Sequence, residues 1–153
     1  MQYKLTYPSW NKKEINAIIK VLKSGYLTMG KNVKLFEKKF AKYLNRRFAV
    51  MVNSGSSANL LGLASLFFKT NKPLKVNDEV IVPAIAWSTT YSPLQQYGLK
   101  LKIVDVDLKD LNVDINKVIS AITKKTKMIV GVSILGAPAE LQKLKDICNK
   151  KKI

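Results

Sequence analysis

The stretch Phe48-Ala49-Val50-Met51-Val52-Asn53-Ser54-Gly55-Ser56-Ser57-Ala58-Asn59 decides how this chain is read. Five apolar residues lead into a serine-rich turn around Gly55. The apolar run Leu60-Leu61-Gly62-Leu63-Ala64-Ser65-Leu66-Phe67-Phe68 follows. That order predicts a strand, a tight turn and a buried helix. The turn places Gly55 and the hydroxyls of Ser56 and Ser57 at a helix N-terminus, where free N–H groups and the dipole favour an anion such as phosphate. Glycine lets a ligand approach the backbone, and the hydroxyls add donors. A purely local reading stands beside this one: Ser56 caps the helix and binds nothing. The residues alone hold the two level.

Outward from the turn, strand and helix patterns alternate. Glu79-Val80-Ile81-Val82-Pro83, Leu101-Lys102-Ile103-Val104 and Met128–Leu135 read as strands. Between and after them, one helix contains Pro93 and ends at Gly98. A second carries Ile115, Val118, Ile119 and Ile122, with Asp114 near its start. A third opens at Gly136-Ala137-Pro138 and carries Leu141, Leu144 and Ile147 or Cys148. The helix from about Ser57 to Phe68 is apolar nearly all round, which predicts burial on several sides, between a sheet and another layer or a partner subunit. Uniformly apolar strands alternating with helices predict an α/β fold: a mostly parallel sheet flanked by helices.

Before the turn, Ser9 is placed to cap a helix starting near Asn11, with Ile15, Ile18, Ile19 and Leu22 as its stripe and Gly25 as its stop. A second helix is expected from about Asn32 to Leu44, with Val33, Phe36, Phe40 and Tyr43 or Leu44 inward. This gives an N-terminal helical segment over residues 1–45 and a partial α/β domain over residues 46–153. The last helix pattern should feed a further strand, so the α/β pattern reads as C-terminally incomplete at Ile153.

The formal net charge of +17 invites a nucleic-acid reading. Its distribution argues against a specific one. Of 27 basic residues only Arg46 and Arg47 are arginine, and the lysines are spread along the chain's helices and loops without aromatic interleaving. With one cysteine, Cys148, and no histidine, the chain holds no internal disulfide, no Cys/His zinc site and no histidine-dependent nucleophile of its own. Met1–Pro8 lacks the apolar core of a signal peptide, and no apolar run approaches the roughly 18 residues of a membrane span. The expected location is the cytoplasm, without membrane association.

Neither G-x-G-x-x-G nor G-x-x-x-x-G-K-[ST] is present, so dinucleotide and P-loop readings lose their main support. Trp87 follows the carboxyl end of the strand 79–83, at the edge where open parallel sheets bind ligands. There it suits stacking on a planar aromatic group; read unaided, it packs in the core. Asp105 and Asp107 read as solvated loop carboxylates, lacking the further oxygen ligands a metal would need.

Five stretches together resemble the DegT/DnrJ/EryC1/StrS family. They are Thr28-Met29-Gly30, Asn53–Leu60, Asp78–Pro83, Val104-Asp105-Val106-Asp107 and Leu135-Gly136. The resemblance implies the N-terminal part of the large domain of the fold type I, aspartate-aminotransferase-like architecture. It also implies dependence on pyridoxal 5'-phosphate or pyridoxamine 5'-phosphate and a role in nucleotide-sugar metabolism, of the O-antigen type. Trp87–Leu99 is similar to the family's sugar 3-dehydratases, the type acting on GDP-4-keto-6-deoxymannose. The family's aminotransferases are the alternative, and a non-catalytic truncated scaffold is a second.

By the resemblance, Gly55, Ser56 and Ser57 bind the cofactor phosphate and Trp87 stacks on the pyridine ring. Met29 and Gly30 lie near the sugar site. A nucleotide-linked 4-keto-6-deoxysugar would be the substrate and a homodimer the assembly. No catalytic residue and no metal ligand is assigned. The resemblance places the aspartate facing the pyridine nitrogen, and the lysine or histidine that moves protons, beyond Ile153. Both are needed for the electron sink and the proton transfer. The purified 153-residue chain is therefore expected to show neither dehydration nor transamination; measurable turnover of either kind contradicts that.

Overall fold

The structure, a computed structural model, describes residues 7–153. Residues 1–6, part of the stretch read above for a leader, lie outside the described residues. The chain divides into two compact units after Met51.

The first unit carries α1 (Lys12–Lys23) and α2 (Lys31–Tyr43). Asn11 caps α1, where Ser9 was expected: its side chain accepts from Lys13 N at 2.9 Å, and Glu14 reaches back to the Asn11 N–H at 2.7 Å. That reciprocal capping box satisfies two orphan donors, which a serine two residues earlier cannot reach. Gly25 ends the helix in the left-handed region at φ 67°, as a C′ glycine does. The apolar stripes are present but uncovered. Ile18 and Leu22 of α1 and Phe36 and Phe40 of α2 are all exposed, the last two stacked with centroids 5.4 Å apart. The inward face expected for α2 is therefore not buried, because amphipathic spacing fixes a stripe and not the surface that covers it.

The second unit contains α3 (Gly55–Phe68), β1 (Glu79–Pro83), α4 (Ser88–Gln96), β2 (Lys100–Val104), α5 (Ile115–Ala121), β3 (Thr126–Ile129) and α6 (Leu141–Lys151). The sheet is parallel, in the order β2-β1-β3. β1 is central, and its alternation sorts the core. Val80 and Val82 pack on one face with Leu63 of α3 and Leu94 of α4; Ile81 packs on the other with Val118 of α5 and Leu144 of α6. Helices cover both faces, as the apolar strands predicted.

Three expectations change. Phe48–Val52 forms no strand: the sheet has three strands, and Phe48 and Val50 stand 77% and 68% exposed. An apolar run acquires strand structure only beside an edge that completes its hydrogen bonds, and no ladder includes this one. Of the run Met128–Leu135 only Met128 and Ile129 are strand, with Val130 N still donating to Ile81 O at 2.9 Å; β3 starts earlier at Thr126, and the chain then turns through a short 3-10 segment at Ile134–Gly136. α3 buries one residue, Leu63, while Leu60, Leu61 and Phe68 remain exposed. Within its own unit a single layer covers one side of α3, so burial on several sides is not achieved among residues 52–153.

Two polar devices hold the connections. Asn112, only 5% exposed, donates to Asp110, Ala137 O and Pro138 O and accepts from Ile134 N, pinning the segment before α6 to the loop after β2. Gly98 sits at φ 71°, and a Cβ there would lie 2.9 Å from Val76, so both backbone and packing require glycine. No described helix is long and apolar enough to cross a membrane.

At the opposite end of the strands, Glu79 Oε1 accepts from Thr126 Oγ1 at 2.6 Å and Thr123 Oγ1 at 2.9 Å, fastening β1 to β3. The Thr126 bond, with smaller help from Thr123 and nearby lysines, holds the carboxyl below its usual 4.5 despite partial burial. A carboxylate with a depressed folded pKa adds stability above its unfolded pKa, and that stability fades as pH falls through the folded value. Wild type is therefore expected to resist urea better than Glu79→Gln at neutral pH, with the gap closing in acid. A pH-independent gap contradicts this assignment.

Candidate functional site

The site is built from the first turns of α3 and α4. Ser54 is the N-cap of α3: its Oγ accepts from Ser57 N at 3.1 Å and donates to Ser57 Oγ at 3.2 Å. The local reading that Ser56 caps the helix is thus corrected. A cap needs the extended backbone just before the first turn, which Ser54 has at φ −160° and Ser56, inside the helix, lacks.

This cap shapes the donor set. With Ser57 N satisfied and Ala58 N bonded to Ser54 O, the N–H groups of Gly55 and Ser56 find no hydrogen-bond partner among the described residues. Because Ser57 Oγ accepts from Ser54, its own proton is free to point outward. A Cβ on Gly55 would meet nothing within 4 Å, and its φ lies outside the left-handed region. Neither packing nor backbone conformation demands glycine at position 55. What the residue leaves is open room directly over two free N–H groups.

Trp87 occupies the N-cap position of α4, four residues beyond the carboxyl end of β1, and is 75% exposed. The core-packing reading of Trp87 is therefore overturned: the side chain lies at the surface. Asn59, one turn inside α3, donates through Nδ2 to Thr89 O in the first turn of α4 at 3.4 Å. That contact brings the two first turns together, and a cleft of about 380 Å³ lined by Ala58, Asn59, Thr90 and Pro93 runs beside them. The sequence placed Trp87 by its strand correctly; the strand expected before Gly55 does not form.

Met29 and Gly30 belong to the other unit. Met29 is 74% exposed at φ 39°, and Gly30 is the N-cap of α2. A Cβ on Gly30 would lie 2.9 Å from the Tyr26 ring, so glycine here lets that ring rest against the backbone. Asp105 is fixed by an ion pair with Lys117 Nζ at 2.9 Å, which lowers its pKa together with the Val106 N–H. Among the described residues no three His, Cys, Asp or Glu groups gather to hold a metal. Ser54, Asn59 and Tyr91 are the site's supporting residues that sequence reasoning left without a role. Only the N-cap rule, applied two residues earlier, would have found Ser54.

The described residues thus bring together a helix start with free N–H groups and, at the start of the next helix, an exposed tryptophan. Comparison with known proteins gives the family. The model of the DegT/DnrJ/EryC1/StrS aminotransferase family matches residues 8–153, and the chain belongs to that family. It is 49% identical over its whole length to a GDP-4-keto-6-deoxy-D-mannose 3-dehydratase of Yersinia pseudotuberculosis, of which it spans 39%. It superposes with a TM-score of 0.93 on the Escherichia coli GDP-4-keto-6-deoxy-D-mannose-3-dehydratase solved with hydrated PLP. That match has 47% identity and covers 99% of this chain and 39% of the other. A mutant of GDP-4-keto-6-deoxymannose-3-dehydratase with bound GDP-perosamine gives a TM-score of 0.90 at 48% identity, over 96% of this chain and 38% of its own.

Ser54→Ala removes the α3 cap and frees the Ser57 N–H. Loss of such a cap costs about 1 kcal/mol. A lowered urea midpoint of that size is expected, with the helical circular-dichroism signal retained below the transition; an unchanged midpoint contradicts the cap.

Proposed function

We propose that this chain forms the phosphate-binding and ring-binding part of a site for pyridoxal 5'-phosphate or pyridoxamine 5'-phosphate. The enzyme it serves is a 3-dehydratase of nucleotide-linked 4-keto-6-deoxysugars in the cytoplasm. One observation carries the reading: the start of α3, with two free N–H groups and the Ser57 hydroxyl, is tied by the Asn59–Thr89 bond to the helix that begins at the exposed Trp87. Gly55, Ser56 and Ser57 hold the phosphate, and Trp87 covers one face of the pyridine ring. Relatives identical at about half of the aligned positions are GDP-4-keto-6-deoxymannose 3-dehydratases, one of them solved with hydrated PLP. That kinship favours dehydration over the transamination for which the family is named.

Bound, the cofactor supplies an electron sink next to the sugar carbon that reacts. The residues of this chain bind and orient it. The N–H groups of Gly55 and Ser56 offer fixed partial positive charge to the phosphate, and the dipole of α3 adds to it. Trp87 excludes water from one ring face. Met29 and Gly30, presented at the start of α2, contribute to the sugar side. Exposed Leu60, Leu61 and Phe68 on α3 supply apolar surface suited to a homodimer.

Titration of the purified chain with pyridoxamine 5'-phosphate, followed by absorbance and equilibrium dialysis, tests the reading. Binding is expected for the phosphorylated compound and not for pyridoxamine. Trp87→Ala is expected to weaken it about tenfold, the effect of roughly 1.4 kcal/mol of lost stacking. Equal binding of both compounds, or none of either, overturns the proposal.

A further inference from the structure

We infer that Asn59 and Tyr91 are positioning residues that brace the Trp87 segment against β1 and α3, setting where the aromatic wall stands relative to the anion donors. The meaning given to that wall rests on the cofactor reading above; the brace itself does not.

The segment Ala84–Trp87 joins β1 to α4 without regular structure, and Ala84, Ile85 and Trp87 are all exposed. A tryptophan 75% exposed has little packing to fix it, so its place depends on its backbone. Thr90 N donates to Trp87 O at 2.8 Å within the start of α4, and three further polar contacts tie the segment to its surroundings. Ala84 N donates to Val104 O at 2.7 Å, which extends the β1–β2 ladder by one residue. Tyr91, one turn into α4, donates from its phenol to Pro83 O at 2.8 Å and so closes the loop around Trp87 onto the last residue of buried β1. Asn59 reaches Thr89 O from α3.

Both side chains end on main-chain carbonyls flanking Trp87, one before it and one after. They therefore hold the segment whatever side chains it carries. Asn59 also lies four residues after Gly55, on the same face of α3, so its bond ties the wall to the helix that presents the anion donors. Burial raises the Tyr91 phenol above its usual pKa, which keeps the proton that the Pro83 bond needs. Neither residue has to touch a ligand to act.

The test uses Tyr91→Phe and Asn59→Ala, with Val118→Ala as a control that loosens the opposite core face. Hydrogen exchange of residues 84–89 in the free chain is expected to rise about threefold to tenfold in the first two variants, the range for one lost hydrogen bond. It should stay unchanged in the control. Unchanged exchange in both variants, or an equal rise in Val118→Ala, overturns the brace whether or not cofactor binds.

The second readout is Trp87 emission in a Trp10→Phe background, which leaves Trp87 as the sole tryptophan. Saturating pyridoxal 5'-phosphate should quench it strongly in the unsubstituted chain and less in the two brace variants. Full quenching in all of them overturns the role assigned to the brace. No quenching even without a brace substitution overturns the cofactor reading, while the exchange result still decides the brace.

Discussion

Residues 52–153 depend on the complete burial of three consecutive side chains, Val80, Ile81 and Val82. Consecutive strand residues face opposite ways, so this short run must have apolar cover on both sides at once. Each such side chain contributes about 1.5–3 kcal/mol when removed from water. Leu63 and Leu94 answer one face; Val113, Val118 and Leu144 answer the other. Parallel neighbours on both edges then satisfy the backbone that this burial withdraws from solvent.

The position of the site follows from that arrangement. A strand whose ends are fixed by its own burial gives the next segment a rigid starting point, and the ligand edge lies where Pro83 releases the chain. α3 and α4 pack on the same face of the sheet, and the contact between Asn59 and Thr89 joins the second turn of α3 to the first turn of α4. Their positive dipole ends therefore open toward a common region, with no cationic side chain needed there.

Much of this was legible in the sequence because it is local. β1, the Asp114 cap of α5, and the glycine stops at Gly25 and Gly98 follow from residue type and spacing. The Gly55–Ser57 turn was legible as a helix start, although its cap is Ser54. The illegible parts are those that need a neighbour. Phe48–Val52 has the composition of a strand and no ladder to join. α3 has the composition of a buried helix and one covered face. The exposure of Trp87 could not be read, because a tryptophan after a strand suits core and surface alike. The Asn112 bonds to Ala137 and Pro138 span some 25 residues and leave no periodic trace.

The uncovered apolar stripes of α1, α2 and α3 stand among side chains that give the molecule a net charge of +17. Two copies approaching in dilute buffer repel one another before those stripes meet. At physiological ionic strength that repulsion reaches only about 8 Å, and at molar salt about 3 Å. The lysine excess thus acts as a colloidal barrier with an adjustable range. It is broad enough to keep sticky surfaces apart at low salt and thin enough to let them find their complement when the ionic atmosphere closes in.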